Sequence, residues 1–185
     1  MCGRFALYSK KKIKLKFNIN IMENFNIAPN QKVFIINQDN KLIKANWGIK
    51  PEWAKSSIIN ARIETLNSKK TFSDLSRCVF IADGYYEWSR SRREKIPYYH
   101  YIDDGLLYFA GLYGDLGCVI VTMNGFGYLS MIHDRQPFFL KENQIESWIK
   151  NKNSNIIYDK TINFHKVSKS INKVFNNSPV LIEEI

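Results

Sequence analysis

Cysteine is scarce in this chain, and its three copies are widely separated, at positions 2, 78 and 118. An odd number at that spacing excludes a disulfide framework and argues against the close cysteine pairs of a zinc site. Cys78 and Cys118 stand in apolar runs, so we expect them to be buried and inert. Long apolar runs are also absent, since none approaches the roughly 20 residues of a membrane helix. The lysines that follow the short apolar start do not form a cleavable signal peptide. We therefore expect a cytoplasmic protein without membrane contact, metal or other cofactor.

Apolar residues and positive charge are what the chain has instead. Of its 185 residues, 45% are hydrophobic and 14% aromatic, enough for one sizeable core. The 27 Lys and Arg residues exceed the 17 Asp and Glu residues and give a net charge of +10. Such a charge is typical of a surface that binds a polyanion, above all nucleic acid. An Ile-, Asn- and Lys-rich composition can also reflect genomic base composition, so the charge alone leaves this open.

Local patterns predict an α+β fold. Ser9 precedes a lysine-rich segment that fits a short helix, a second helix fits the segment from Asn60 onwards, and KENQIESWIK fits a third. KVFIIN and LIKANWGI flank a turn and predict a β-hairpin. The middle of the chain alternates aromatic and β-branched runs with turn residues, which is the spacing of an antiparallel meander. No repeat or linker divides the chain, so we predict a single domain, residues 1–185, with a curved, largely antiparallel β-sheet approaching a barrel and short flanking helices.

The opening Met1-Cys2-Gly3-Arg4-Phe5 carries the clearest chemical signal. Removal of Met1 would leave Cys2 with a free α-amine and a thiol on one residue. Such a 1,2-aminothiol captures aldehydes: the amine forms a Schiff base, and the sulfur closes onto the imine carbon to give a thiazolidine. The alternative from the pentapeptide alone is that Cys2 begins a buried strand.

Three more polar positions are candidates for chemistry. Glu87 lies among aromatic residues in GYYEW, where strand alternation places it on one face with Tyr85, and it would serve either as a proton carrier or as an exposed edge residue. His133 opens a His-Asp-Arg sequence and is either a proton shuttle or a structural residue. Asn60 and Arg62 would either position a reactive group and hold a phosphate or simply cap a helix.

Taken together, these positions resemble a known family. MCGRF, NIAPNQ, WGIKPEWA, INARIET, RCVFIADGYYEW, FAGLY, IHDRQP and INKVFNNSP occur in this order along nearly the whole chain. In that combination the sequence resembles the SRAP family, the SOS-response-associated-peptidase-type proteins that process abasic sites in DNA. The resemblance implies that Cys2, after loss of Met1, attacks the ring-opened aldehyde of an abasic site and closes a thiazolidine, which shields the lesion from strand cleavage.

The same resemblance implies roles for individual residues. Asn60 would orient the Cys2 amine, Glu87 would act as general acid and base, and His133 would assist opening of the sugar ring. Contacts to the DNA backbone would come from arginines, and packing against bases from Pro29 and Trp47; the arginines are Arg4, Arg62, Arg135 and, as an addition, Arg77. In the WGIKPEWAK loop, Trp53 is expected to be buried and Trp47 to be available at the surface.

The expected partner is single-stranded DNA, or a junction of single and double strands, that contains an abasic site. The protein would act as a monomer and associate with the nucleoid when bound to DNA. Two rival functions stay open at this point. One is a peptidase or amidase that uses Cys2 as an amino-terminal nucleophile, with a possible lyase-type reaction at the lesion, and the other is a basic DNA-binding module without catalysis.

Overall fold

The structure is a computed structural model, and it describes residues 2–89, 94–150 and 162–185. These residues form one α+β domain of two β-sheets and two short helices, as predicted. None of the helices among them is long and apolar enough to span a membrane. The helices are α1 (Lys10–Phe17) and α2 (Ile145–Ile149), and the strands are β1 (Arg4–Leu7), β2 (Asn24–Ile27), β3 (Lys32–Ile36), β4 (Leu42–Asn46), β5 (Asn60–Arg62), β6 (Ser76–Ala82), β7 (Gly84–Trp88), β8 (Pro97–Tyr101), β9 (Leu107–Gly114), β10 (Gly117–Asn124), β11 (Arg135–Pro137), β12 (Phe139–Leu140) and β13 (Asn163–Lys166).

The smaller sheet positions the amino terminus. Its five strands run in the order β13-β8-β7-β1-β2 with antiparallel pairing throughout. Arg4 pairs with Tyr86 and Phe5 with Tyr85. Because antiparallel partners run in opposite directions, this register brings the residues before β1 alongside the end of β7, which contains Glu87.

The larger sheet positions Asn60, which begins β5. Its main path is β11-β10-β9-β6-β3-β4, with β12 added on β9 and β5 on β10. The β5 strand pairs in parallel with β10, with Asn60 opposite Ile120. The predicted hairpin is confirmed as β3 and β4, whose turn contains Asn40 at φ 58°.

Aromatic side chains join the two sheets. The ring of Phe5 on β1 lies 5.1 Å from the ring of Trp47 and 6.3 Å from those of Phe80 and Phe109 on the larger sheet. These tilted and edge-on contacts are the favourable geometry for aromatic pairs. The two sheets pack against each other across this core. The predicted curved, largely antiparallel β-structure is therefore divided between two sheets that do not close into a barrel.

Two predictions from local pattern are wrong in an informative way. The expected helix from Asn60 is the short strand β5 followed by a 3₁₀ turn at Ile63–Thr65, because hydrogen bonding to β10 and burial of Ala61 outweigh local helix preference. The expected meander is interrupted at Asp83. There the chain leaves β6 in the larger sheet and enters β7 in the smaller one, so these consecutive strands do not pair.

Asp83 stabilises this crossover. Its Oδ2 accepts hydrogen bonds from the backbone nitrogens of Tyr8 (2.6 Å) and Ser9 (2.8 Å), and its own backbone nitrogen donates to Ala6 O (2.8 Å). The α1 helix is confirmed at Lys10–Phe17, but the Ser9 side chain makes no capping bond. The Asp83 carboxylate, which is distant in sequence, accepts hydrogen bonds from the amides before the helix instead. Its negative charge stabilises the amino-terminal end of α1.

We expect Asp83→Ala to lower the free energy of unfolding by about 2 kcal/mol, because the mutation leaves two partly buried amide donors without an acceptor. Urea denaturation followed by circular dichroism measures the change. Asp74→Ala removes an exposed aspartate and is the matched control, with an expected effect within about 0.5 kcal/mol. Equal losses in both variants would show that Asp83 does not hold the crossover.

Candidate functional site

Cys2 lies inside the protein, directly before β1. It is 0% exposed, and its Sγ lies 3.8 Å from Arg4 O as a weak donor. Burial raises the pKa of the Cys2 thiol far above its usual range, and the nearby charge of Glu87 raises it further. The alternative interpretation, that Cys2 begins a buried strand, is confirmed in that Cys2 is buried directly before β1. Its role as a reactive aminothiol stays a prediction. The thiol is in its protonated form at neutral pH.

Asn60 contacts the main chain of Cys2. Its Nδ2 donates a hydrogen bond of 2.9 Å to Cys2 O. Because a carbonyl oxygen only accepts, this contact fixes which end of the amide faces it. The other end, Oδ1, is buried and has no hydrogen-bond partner among the described residues. The pairing of β5 with β10 thus places an unused acceptor beside Cys2.

Glu87 and His133 complete the cluster. Glu87 is buried on β7, and its Oε1 lies 4.0 Å from His133 Nε2. The Nδ1 atom of His133 accepts a hydrogen bond from Arg135 N (2.9 Å) and lies 3.0 Å from the exposed carboxylate of Asp134. The Nε2 atom of His133 faces Glu87 at a distance slightly longer than a direct hydrogen bond. The two groups therefore lie next to each other on one side of the site.

A cleft of about 490 Å³ opens beside this pair. Its lining residues are Glu87, Trp88, Ser89, Lys95 and His133. The cleft gives small molecules or an extended polymer a route to the buried carboxylate. The structure therefore brings together all four residues that the resemblance assigned to the reaction, on β7, β5, the segment before β1 and the segment before β11.

Arg62 and Arg135 differ in how available their charges are. Arg62 is exposed, and no hydrogen bond from its side chain to a described residue occupies the guanidinium. Arg135 donates to both carboxylate oxygens of Glu64 (2.8 and 3.0 Å) and to Thr122 O (2.7 Å). Those hydrogen bonds hold the pKa of Glu64 below its usual range. Arg135 thus ties β11 to β10 in this conformation, whereas the Arg62 guanidinium makes no hydrogen bond to the described residues.

Arg4 and Arg77 are likewise engaged inside the protein. Arg4 donates to Asn26 Oδ1 and to Ile171 O, both at 2.7 Å, and so anchors the carboxy-terminal segment. The Arg77 guanidinium lies 4.2 Å from the centre of the Trp148 ring and borders a separate cleft of about 550 Å³. Strand alternation puts Arg77 on the face of β6 opposite to Phe80, which faces the core. Arg77 therefore faces away from the Cys2 side of the sheet, and its contact with the DNA backbone stays a prediction.

The burial of the two tryptophans in the WGIKPEWAK loop is the reverse of what the sequence predicted. Trp47 is 0% exposed, packs on Phe5 and donates from Nε1 to Ile59 O (3.0 Å). A ring with no exposed face cannot stack on a base, so the stacking role expected of Trp47 is wrong in this conformation. Trp53 is 68% exposed. Pro29 is partly buried, and its packing against a base stays a prediction.

Sequence reasoning missed Lys95, the cationic residue of the cleft. Lys95 belongs to the charged segment between β7 and β8, which was interpreted only as a turn. The sequence feature that could have identified Lys95 is its place as a basic residue in the connection that follows Glu87 between two paired strands. The β7–β8 pairing brings that residue back towards Glu87.

The chain is similar to known proteins of one family. The family model described as SOS response associated peptidase (SRAP) matches residues 1–174. The chain is 34% identical to the abasic site processing protein YoqW of Bacillus subtilis, over 99% of each chain, and 27% identical to the abasic site processing protein YedK of Escherichia coli, over 100% of each.

Solved structures show the same fold. A crystal structure of a protein from Bacteroides thetaiotaomicron superposes with a TM-score of 0.83 at 21% identity and covers 100% of both chains. A phage-related protein of Bordetella bronchiseptica matches with a TM-score of 0.73 at 24% identity, over 91% of this chain and 95% of the other. Together with the family model that spans residues 1–174, these likenesses lead to one conclusion: the chain belongs to the SOS response associated peptidase (SRAP) family.

Proposed function

We propose that this protein processes abasic sites by capturing them covalently in single-stranded DNA through Cys2. The observation that carries the proposal is the group of side chains around Cys2, which come from separate parts of the chain. Asn60 donates a hydrogen bond to the Cys2 carbonyl, the charge of Glu87 raises the pKa of the Cys2 thiol, and His133 lies 4.0 Å from Glu87. The printed names of the relatives YoqW and YedK as abasic site processing proteins support the same class of substrate.

The proposed reaction starts after hydrolysis removes Met1 and frees the Cys2 α-amine. The amine nitrogen attacks C1′ of the ring-opened sugar, and the resulting carbinolamine loses one water to give an imine. The Cys2 sulfur then adds to the imine carbon while the thiol proton moves to the nitrogen. The product is a thiazolidine that links protein and DNA, with one water released per site captured.

Each neighbour of Cys2 has a step to perform. Glu87 carries the protons of the attacking amine to the carbinolamine oxygen, which leaves as water, and afterwards removes the thiol proton and passes it to the nitrogen; these are the two roles of a general acid and base. The free Oδ1 of Asn60 accepts a hydrogen bond from the amine and so directs the nitrogen lone pair towards C1′. His133, whose Nε2 lies 4.0 Å from Glu87 Oε1, assists opening of the sugar ring.

Burial of the thiol supports an order of events in which the amine reacts first. A protonated sulfur is a weak nucleophile, so it waits until the imine is in place and Glu87 removes its proton. A peptidase that acts on other chains would need the sulfur as its first nucleophile, and the raised pKa of the buried Cys2 thiol disfavours that order.

We expect Cys2→Ser to abolish the heat-stable crosslink to a single-stranded oligonucleotide with one abasic site, because an oxygen cannot close the thiazolidine. A denaturing gel detects the crosslink. Binding to an oligonucleotide with a tetrahydrofuran abasic analogue, which has no aldehyde, should stay within about twofold, since Cys2 contributes little to phosphate contacts.

The matched control for that experiment is Cys118→Ser, another buried cysteine whose Sγ donates to Asn46 O. It should crosslink like the unmodified protein. A Cys2→Ser variant that still forms the heat-stable band would contradict the proposal, and cleavage of free peptides by the unmodified protein would favour the peptidase.

Glu87→Gln keeps the size of the side chain and removes its proton transfer. We expect the rate of crosslinking to fall about 10²- to 10⁴-fold, the usual contribution of general acid–base catalysis. The affinity for the tetrahydrofuran oligonucleotide should not change. Single-turnover crosslinking measured over time gives the rate, and an unchanged rate would exclude Glu87 from the reaction.

Ionic strength tests how the DNA is held. Binding of the tetrahydrofuran oligonucleotide should weaken steeply with salt, since each phosphate neutralised on a single strand contributes about −0.7 to the slope of log K against log salt. Because Arg62 presents a free cation next to Asn60, Arg62→Ala should make that slope shallower by about 0.7. Lys11→Ala, an exposed cation on α1, is the control and should leave the slope unchanged. Equal slopes for all three proteins would remove Arg62 from the DNA-binding surface.

A further inference from the structure

A short turn before His133 exposes large apolar side chains. In the 3₁₀ turn Gly127–Met131 and the residue before it, Met131 is 80% exposed and Phe126 is 77% exposed. Leu129 and Ile132 from the same segment are buried beneath them. Solvent-exposed apolar residues that cluster on a surface mark interaction sites more often than isolated ones do.

Hydrogen bonds hold the start of this turn against β11. Gly125 N donates to Asp134 O (2.7 Å), and Phe126 N donates to Gln136 Oε1 (2.9 Å). A Cβ atom placed on Gly125 would lie 2.6 Å from His133 O, closer than real Cβ contacts. The backbone that carries Phe126 is therefore in direct contact with the backbone of His133.

Tyr128 holds the middle of the turn against the smaller sheet. Its hydroxyl donates to Ile162 O (2.7 Å) and accepts from Ile162 N (3.0 Å). Its ring stacks on Phe164 at 5.6 Å between centroids. With both ends and the middle bonded to neighbouring strands, exposure of Phe126 and Met131 is a feature of the folded conformation and not of a frayed loop.

We propose that Phe126 and Met131 form a stacking platform for an unpaired nucleobase next to the abasic nucleotide. This inference rests on the proposed function, which places the lesion in the cleft at Glu87 and His133. Loss of a base leaves its neighbours with exposed ring faces, and an apolar surface beside the lesion covers one of them whatever the sequence.

The chemistry of the turn favours a base over the other parts of DNA. Residues 125–132, GFGYLSMI, contain no charged side chain, so they offer nothing to a phosphate. The segment leads directly into His133, and the Gly125 backbone lies against the His133 carbonyl, so the turn borders a residue that lines the cleft. Phosphate contacts thus fall to cations such as Arg62, and base contacts to Phe126 and Met131.

The test compares two single-stranded oligonucleotides. One carries a single tetrahydrofuran residue, and the other carries tetrahydrofuran at that position and at both neighbours, so that it keeps the phosphates and lacks the flanking bases. We expect the unmodified protein to bind the first about 5- to 100-fold more tightly, the range that stacking on one base gives. The double variant Phe126→Ala with Met131→Ala should lose this preference while crosslinking to a true abasic site persists at saturating DNA.

A matched control removes two other exposed apolar side chains. Leu15 and Met22 are 79% and 89% exposed and lie in or after α1, which begins at the end of β1 remote from Cys2. The double variant Leu15→Ala with Met22→Ala should keep the full preference of the unmodified protein for flanking bases.

The outcomes separate this inference from the proposed function. If the unmodified protein prefers flanking bases but forms no crosslink, the platform stands and covalent capture falls. If it crosslinks but binds both oligonucleotides equally, or if the Phe126 and Met131 variant keeps the preference, the platform is overturned. Sedimentation adds one more outcome: a dimer that only this variant fails to form would show a self-association surface and would also overturn the proposal.

Discussion

The hydrogen bond from Asn60 Nδ2 to Cys2 O, 2.9 Å long, is the contact on which the site depends. It joins the segment before β1, which belongs to the smaller sheet, to β5 on the larger one. The aromatic core around Phe5 keeps the two sheets at a constant separation, so the bond length and the position of Cys2 follow from the packing of the whole domain. Cys2, which the proposed reaction needs in a fixed position, is thereby held in place although it lies near the end of the chain.

Burial then determines the chemistry that Cys2 can perform. In a low-dielectric setting next to the Glu87 carboxylate, the thiol keeps its proton. The site favours a substrate whose carbonyl reacts first with an amine and only then with sulfur, and an aldehyde fits this requirement better than a peptide bond does. This order of reaction supports the proposed capture of abasic sites.

Positive charge on the protein is less available than the net value of +10 implies. Arg4, Arg77 and Arg135 are bonded to a carbonyl, an aromatic ring and a carboxylate, respectively, and each stabilises the fold at the place where it stands. Arginine suits such sites because its planar group makes several directed contacts at once. Arg62, two residues after Asn60, and Lys95, which lines the cleft, therefore offer positive charge at the site. The exposed turn at Phe126 offers apolar surface instead of charge.

Much of this could be predicted from the sequence by itself. The lysine-rich helix α1, the β3–β4 hairpin, the burial of Cys78 and Cys118 and the identity of the residues that gather at Cys2 follow from local patterns or from motifs that resemble a family. Tertiary structure decided the rest. Asn60–Arg62 became a strand because β10 offered hydrogen bonds, and Trp47 went inside while Trp53 stayed outside because only Trp47 meets the aromatic core. Periodicity and residue type describe what one segment prefers, whereas burial and pairing depend on which distant segment comes to lie against it.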